Sequence, residues 1–378
     1  MQSVRTYLKF LGRGVFGFFS KQSQSAHAVL NIEGADVFFG YYGREVSRND
    51  RIIVTVVENK SISLNVLEVE SKKTLYSKEL EVTNYQQANQ QQWFDDDIFG
   101  YVDRSHAGHL TTHIHDISSG KSLIIPLSLQ IKIAKNQFIS IDYSKFSLNA
   151  PDYSYDSLAK SEDGVQLVTF RRDLSGYHVV KLFADLDVSL FLGVDHVEKF
   201  HLNHFMISPC GEKLLFIARY TKNGKRVDRL ISFSLRDKSF KLCLDSNYVS
   251  HYCFTCTSKV LFFGKSNSAS KRGYFIVDLD NNSTTAFGPA ENINVDGHPI
   301  IANGVVVSDT YPDLRNYQHL LVFHKDKMLR HRFYHPNFLD PSHRCDLHPV
   351  FDGGRMKIFF NHFHDGCRAV GWIDLAHD

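Results

Sequence analysis

Turn signals recur along this chain at nearly constant spacing, and each lies between two short runs rich in β-branched and aromatic residues. In the clearest copy, residues 208–211 form the turn, and the β-rich runs 213–219 and 229–235 follow it. The aligned turns fall at positions 50, 97, 164, 211, 258, 304 and 354, so they are 46–50 residues apart except for one gap of 67. A repeat of about 40–50 residues with four short strands is the period of a β-propeller blade.

The sequence therefore predicts an all-β fold, a seven-bladed β-propeller of four-stranded blades, whereas a pair of β-sandwiches predicts no constant spacing. The one long gap fits an insertion around residues 136–155. The last repeat ends after its third strand, so we expect residues 28–32 to supply the fourth strand and close the ring. This divides the chain into an N-terminal extension, helical or flexible, at residues 1–25 and a propeller at residues 26–378.

Composition excludes several classes of partner. The chain has 43 basic and 41 acidic residues, which provides no chain-wide positive field for nucleic acid. No apolar run is long enough for a transmembrane helix. Six cysteines in 378 residues do not make a disulfide framework, so we expect a cytoplasmic protein.

Residues 1–20 have a weak export-signal pattern, and the alternative is a short amphipathic helix that makes peripheral contact with a membrane.

Four histidines occupy the same place in four successive repeats. His204, His251, His298 and His348 each lie six or seven residues before an aligned turn, and their spacings of 47, 47 and 50 equal the repeat. The innermost strand of a blade begins at this point, so we expect four imidazoles around the mouth of the central channel. The alternative is a set of histidines that pack between blades and satisfy backbone groups.

Polar loops between second and third strands are expected to open on the same face as these histidines. One loop contains Asp309, Tyr311, Asp313 and Arg315; the others begin at Arg219 or cover residues 361–368, and the last blade is preceded by Arg344 and Asp346. Imidazoles can bind a divalent metal, with Asp346 or Asp309 as hydrogen-bond acceptors behind them. Arginine offers a planar pair of donors for a substrate carboxylate.

The segments that open the blades resemble a known family. Residues 36–42, 204–209, 296–299, 308–313 and 344–349 together are similar to propellers related to the oligogalacturonate lyases, which often appear beside polysaccharide-synthesis or polysaccharide-utilisation genes. The resemblance covers roughly residues 36–376. It implies a divalent ion, usually manganese, held by three histidines and a glutamine, and an arginine that acts as base.

By blade position, the resemblance implies His251, His298 and His348 as metal ligands and His204 as a fourth ligand or proton-transfer group. Gln318 is the one candidate for the glutamine. Arg219 is the base that the resemblance implies, and His204 or His364 is as plausible a catalytic group because its reference pKa is near 6.5. The expected substrate-binding residues are Asp309, Tyr311, Asp313, Arg315, Arg344 and Arg368.

The function implied is a metal-dependent lyase that acts by β-elimination on an acidic, uronic-acid-containing oligosaccharide or polysaccharide. A bound dication would stabilise charge that develops on the substrate carboxylate when the neighbouring proton is removed. One alternative is a non-catalytic propeller that binds a glycan or a partner in a polysaccharide biosynthesis system. A glycoside hydrolase is a third possibility, for which Asp309 with Asp313 is the only local pair of carboxylates.

Overall fold

The computed structural model describes residues 27–81, 83–105, 107–148, 164–184, 200–266, 271–325, 327–335, 344–352 and 357–375. Their strands form seven antiparallel sheets, each built on four strands, so the predicted all-β, seven-bladed β-propeller is confirmed. The predicted extension at residues 1–25 lies outside the described residues. The described residues contain no helix with the length and hydropathy of a membrane span.

Two compact units make up the chain. The first comprises the described residues up to Asn89 and those from Val295 onward, and the second comprises Gln90–Asn294. The first unit begins with the strands β1 (Ala28–Leu30), β2 (Asp36–Phe38), β3 (Ser47–Arg48), β4 (Arg51–Glu58), β5 (Ser61–Glu68) and β6 (Thr74–Glu79). The first sheet has the order β2-β4-β5-β6, and β3 pairs with β4 outside this path.

The second unit contains four sheets. Their strands are β7 (Gln92–Trp93), β8 (Ile98–Arg104), β9 (Leu110–Asp116), β10 (Ser122–Ile125), β11 (Leu129–Ala134), β12 (Gln137–Ile141), β13 (Ser147–Leu148), β14 (Val165–Phe170), β15 (Tyr177–Phe183), β16 (Phe200–Ile207), β17 (Lys213–Lys222), β18 (Lys225–Ser234), β19 (Phe240–Ser246), β20 (Val249–Phe254), β21 (Lys259–Gly264), β22 (Gly273–Asp278) and β23 (Thr284–Ala286). A helical turn, α1 (Tyr143–Phe146), precedes β13, and a 3₁₀ turn covers Gly288–Ala290. The short strand β13 adds a fifth strand to the sheet β16-β17-β18-β19.

The chain then returns to the first unit for its last two sheets. Their strands are β24 (Ile300–Ala302), β25 (Val305–Asp309), β26 (Tyr317–His324), β27 (Lys327–Tyr334), β28 (Val350–Phe351), β29 (Lys357–His364) and β30 (Cys367–Asp374). The final sheet has the order β1-β30-β29-β28, with Ala28 opposite Trp372 and Leu30 opposite Val370. The strand β1 therefore supplies the fourth strand of the last sheet, as predicted.

The aligned turns at residues 97, 211, 258 and 304 each connect the first two strands of a four-stranded blade, as the repeat predicts, and the turn at residue 50 joins β3 to β4. The turn aligned at residue 354 lies outside the described residues. In their turns Gly211 and Gly304 adopt positive φ, +75° and +77°, a conformation that glycine reaches without a steric penalty. The turn at Gly164 is an exception, because it leads into β14, the third strand of its sheet. The first hairpin of that sheet turns at residues 135–136, so the additional residues lie between its second and third strands. The equal-spacing alignment was wrong by one strand at this position.

Alternating apolar side chains build the core of each unit. In the first unit, Leu30, Val54, Phe359 and Val370 belong to one buried cluster, which joins β1 to the sheets at both ends of the chain. In the second unit, Phe183, Phe216 and Phe233 lie in another buried cluster. Successive residues of a strand face opposite sides of the sheet, so the side chains that pack into these clusters determine which of their neighbours point away from the clusters.

Candidate functional site

A buried histidine and aspartate define the centre of the site in the first unit. His298 lies just before β24, and Asp309 is the last residue of β25 in the same sheet. The carboxylate oxygens of Asp309 lie 2.9 and 3.0 Å from His298 Nδ1, and one of them accepts the backbone N–H of His298 at 2.6 Å. A side chain at Gly297 would collide with the backbone carbonyl of Asp309, so only glycine permits this approach.

His348 reaches the same carboxylate from the next sheet. Its backbone N–H donates to Asp309 Oδ2 at 3.0 Å, and its ring lies edge-on to that of His298 with centroids 4.4 Å apart. The backbone of His348 has φ +44°, a conformation that is uncommon for residues other than glycine. Such conformations cluster at functional sites, where surrounding contacts hold them.

Asp346 adds a carboxylate to the two imidazoles. Ligand atoms of His298, Asp346 and His348 all lie within 4.8 Å of one another, and among the described residues no other three histidine, cysteine or acidic side chains have ligand atoms this close together. Arg344 contacts the same carboxylate, with Nε at 3.0 Å and Nη2 at 2.7 Å from Asp346 Oδ2. The sequence predicted Asp346 as a hydrogen-bond acceptor for a metal-binding histidine, and the structure places it among the candidate ligands.

The charges within this cluster are unevenly distributed. Burial disfavours the charged form of His298, but Asp309 and Asp346 outweigh this effect, so the pKa of His298 is raised. Burial and the neighbouring His298 lower the pKa of His348 to about 3. Burial raises the pKa values of Asp309 and Asp346, but the adjacent histidines, and Arg344 beside Asp346, lower both below their usual range. The site thus combines two anionic carboxylates with one neutral imidazole at physiological pH.

Aromatic rings enclose the imidazoles, and the sequence analysis did not assign them to the site. Tyr41 lies edge-on to His348 with centroids 4.7 Å apart, and Tyr42 lies 5.0 Å from the ring of His298. Gln86 is a further neighbour, with Nε2 3.5 Å from Asp346 Oδ2. The adjacent tyrosines Tyr41 and Tyr42, which are separated from the end of β2 by two residues, were the signal that could have indicated these contacts.

The other two predicted histidines form a pair in the second unit. The rings of His204 and His251 meet edge-on at 4.7 Å, and His204 has φ +54°, which matches the positive φ of His348 at the corresponding place in its blade. The role of His251 as a ligand of the same ion as His298 and His348 stays a prediction, as does the role of His204 as a fourth ligand or proton-transfer group.

Arg219 lies within β17 rather than in a loop. Its guanidinium donates to Asp228 at 3.1 Å and to the Val249 carbonyl at 3.0 Å, and one nitrogen lies 3.5 Å from His201 Nε2. These contacts hold the guanidinium in a fixed orientation in the second unit. Its role as the base stays a prediction.

The remaining predicted residues of the first unit fall into distinct surroundings. Tyr311 accepts a hydrogen bond from Arg344 at 3.3 Å and so lies at the site. Asp313 accepts the N–H groups of Arg315 and Tyr317, whereas Arg315 is exposed.

The segment 361–368, expected as a loop, is mostly strand: His364 ends β29, and the turn begins at Asp365. Arg368 is buried and pairs with Asp36 at 2.8 Å, which indicates a structural cross-link. Gln318 donates to the Cys345 carbonyl at 2.9 Å, so it fixes the segment that carries Asp346.

No protein family and no curated protein matches the sequence. Solved structures do match. An oligogalacturonate lyase in complex with manganese superposes with a TM-score of 0.62 at 12% identity, over 95% of this chain and 99% of that chain. The chain has the fold of an oligogalacturonate lyase.

Two further structures support this assignment of the fold. An oligogalacturonate lyase from Vibrio parahaemolyticus gives a TM-score of 0.58 at 11% identity, and the match covers 95% of this chain and 99% of that chain. The β-propeller domain of the Trilobed protease from Pyrococcus furiosus gives 0.53 at 8% identity, with coverage of 89% and 96%. The resemblance found in the sequence is therefore confirmed as a distant one, at the level of the fold.

Proposed function

We propose that this chain is a divalent-metal-dependent lyase that cleaves uronic-acid-containing oligosaccharide by β-elimination, with its metal centre at His298, Asp346 and His348. The observation that supports it most is the convergence of two imidazoles and a carboxylate within 4.8 Å. The shared fold supports it further, since one solved oligogalacturonate lyase of this fold is a complex with manganese.

The donor set fits a divalent ion. His348 Nε2 is buried, and no hydrogen bond reaches it from the described residues. His298 uses Nδ1 on Asp309, which leaves Nε2 as its coordinating nitrogen. A histidine that is oriented by a carboxylate through its other nitrogen is the usual arrangement behind a metal ligand. Mixed imidazole and carboxylate donors suit manganese as well as zinc.

The surrounding residues have separate tasks in this proposal. When bound, the ion supplies a Lewis acid that stabilises charge developing on the substrate carboxylate. Arg344 is half exposed, so its guanidinium can bind a second carboxylate of the oligosaccharide while it holds Asp346. Burial and the nearby Asp346 raise the pKa of Tyr311 well above its usual range, so its hydroxyl stays protonated and can donate to a sugar oxygen.

An elimination assay with metal analysis tests the proposal. We expect purified protein to contain one equivalent of a divalent ion and to produce ultraviolet-absorbing unsaturated uronate from oligogalacturonate or a related polyuronide. Chelation should abolish the activity, and manganese should restore it. His298→Ala and His348→Ala should each lose the metal and reduce kcat/KM by about 10³-fold or more, because the Lewis acid contributes several kcal/mol.

The matched control is Asp280→Asn, which changes an exposed carboxylate in the second unit and should leave metal content and activity unchanged. Binding of polyuronide without any elimination product, in protein fully loaded with metal, would instead support a glycan-binding propeller. Absence of a stoichiometric ion in protein that still binds polyuronide would contradict a metal centre altogether.

A further inference from the structure

Three histidines outside the candidate metal centre meet where β1 joins the last sheet. His27 directly precedes β1, and His362 and His364 belong to β29. Because the two strand residues are two positions apart, they lie on the same face of the sheet. His27 reaches that face across β30, which separates β1 from β29.

The nitrogens of the first pair face each other. His27 Nε2 and His362 Nε2 lie 3.2 Å apart, and the two rings are nearly perpendicular, with an interplanar angle of 83°. His362 Nδ1 lies 2.9 Å from the Phe363 carbonyl oxygen. A carbonyl oxygen only accepts hydrogen bonds, so Nδ1 of His362 is the protonated nitrogen and Nε2 presents its lone pair to His27.

We propose that His27, His362 and His364 form a second metal site, made of imidazoles alone, for a divalent transition ion of the zinc, nickel and copper group. Two nitrogens bound to one tetrahedral zinc ion are about 3.3 Å apart, since each Zn–N bond is about 2.0–2.1 Å. The observed separation of 3.2 Å between the two Nε2 atoms agrees with this value. Imidazole nitrogen is a preferred donor for these ions.

His364 supplies the third ligand from the solvent side. Its ring centroid lies 6.0 Å from that of His362, and its side chain is 35% exposed. Its Nε2 lies 3.3 Å from Asp365 Oδ2, in a weak pair in which the aspartate side chain is 86% exposed. Rotation of the His364 side chain toward the first pair exchanges this weak contact for coordination and leaves a position open to solvent.

The packing around the pair suits a preformed site. Phe333 and Phe360 lie against the ring of His27, with centroids 5.2 and 5.7 Å away. A Cβ atom at Gly371 would approach the ring of Phe360 within 2.6 Å and that of His27 within 3.0 Å, so glycine makes room for both rings.

An ion at this site would link β1 to β29, two strands that do not pair with each other. A ligand that binds only the folded protein stabilises it by mass action, so the bound ion would secure the strand that completes the last sheet. The carboxylate-containing centre at His298, Asp346 and His348 uses different residues, and the two sites can be tested separately.

Zinc titration of the tag-free protein tests the proposal, since an affinity tag of histidines would bind the same ions. The measurements are calorimetric binding of Zn²⁺ and the thermal unfolding midpoint with and without Zn²⁺. We expect His348→Ala to retain one zinc equivalent and a zinc-dependent rise of several degrees in the midpoint. His27→Gln should lose that equivalent and that rise, and His364→Gln should weaken it at least tenfold.

The matched control is His178→Gln, which removes an exposed histidine of β15 and should leave zinc binding unchanged. His27→Gln and His364→Gln alter side chains at the margin of the sheet, so both variants should fold. Equal zinc affinity and stoichiometry in wild type, His27→Gln and His364→Gln would overturn the proposal. So would loss of all zinc binding in His348→Ala, because every ion would then belong to the other centre.

Discussion

The carboxylate of Asp309 organises three groups of the candidate metal centre. It accepts the backbone N–H groups of His298 and His348, and it also binds the ring of His298. Hydrogen bonds to a buried anion offset the cost of removing it from water. One residue thus fixes the relative positions of the two imidazoles and selects the nitrogen of His298 that can coordinate an ion.

Replacement of Asp309 by asparagine tests this organising role. We expect Asp309→Asn to weaken Mn²⁺ binding roughly tenfold to a hundredfold, as is typical for a residue that orients a metal ligand. It should also lower the free energy of unfolding by about 3 kcal/mol, because the amide removes the anionic partner of buried His298. Titration calorimetry and urea unfolding measure the two effects. Unchanged metal affinity in a folded variant would contradict the role proposed for Asp309.

The sequence predicted the site residues that occupy equivalent positions in the repeat, and it did not predict the contacts of residues that the repeat does not relate to one another. His298 and His348 occupy equivalent places in successive repeats, so spacing alone identified them. Tyr41 is more than 250 residues from His298 in the chain, and no periodic signal links the two. The closeness of Asp346 to the imidazoles depends on how the segment 344–348 turns before its strand, which is set by contacts such as that of Gln318 with the Cys345 carbonyl.

At the level of strands, hairpin signals predicted the sheets wherever the turn residues were regular. The alignment failed in the third sheet, where β11 and β12 turn at residues 135–136 and the inserted segment follows. Gly164 was aligned with the first-hairpin turns because a β-rich run follows it. A turn with positive φ looks the same in sequence whether it precedes the second or the third strand.

The packing of β1 against the last sheet can be tested by mutation. Leu30 is 1% exposed and belongs to the buried cluster that contains Phe359 and Val370. Leu30→Ala should lower the free energy of unfolding by about 2–5 kcal/mol, because it removes buried methyl groups and leaves a cavity. Ile32→Ala is the matched control, since Ile32 is 39% exposed, and its effect should stay within about 0.5 kcal/mol. If Leu30→Ala and Ile32→Ala lower the free energy of unfolding by the same amount in urea, burial of the Leu30 side chain in β1 does not stabilise the last sheet.

The whole molecule has a net charge of only +2, but its interior contains histidines whose protonation state matters for stability at acidic pH. His335, His348 and His362 are buried, and burial is the main cause that lowers their pKa values, to about 4, 3 and 3. An unfolded chain has histidine pKa values near 6.5. The unfolded state therefore binds more protons than the folded state below that pH, and stability should fall as the pH is lowered.

His335 offers the cleanest measurement of this effect, because its Nε2 accepts the backbone N–H of Cys345 at 3.2 Å and must be neutral to do so. The difference between its folded pKa of about 4 and the reference value of about 6.5 amounts to about 2 kcal/mol at pH 5. A glutamine can accept the same hydrogen bond without titrating. We therefore expect His335→Gln to lose about 2 kcal/mol less than wild type between pH 7.5 and pH 5 in urea unfolding, whereas exposed His178→Gln should follow wild type. Parallel pH profiles for wild type and His335→Gln would mean that His335 is charged in the folded protein, which is incompatible with the hydrogen bond from Cys345.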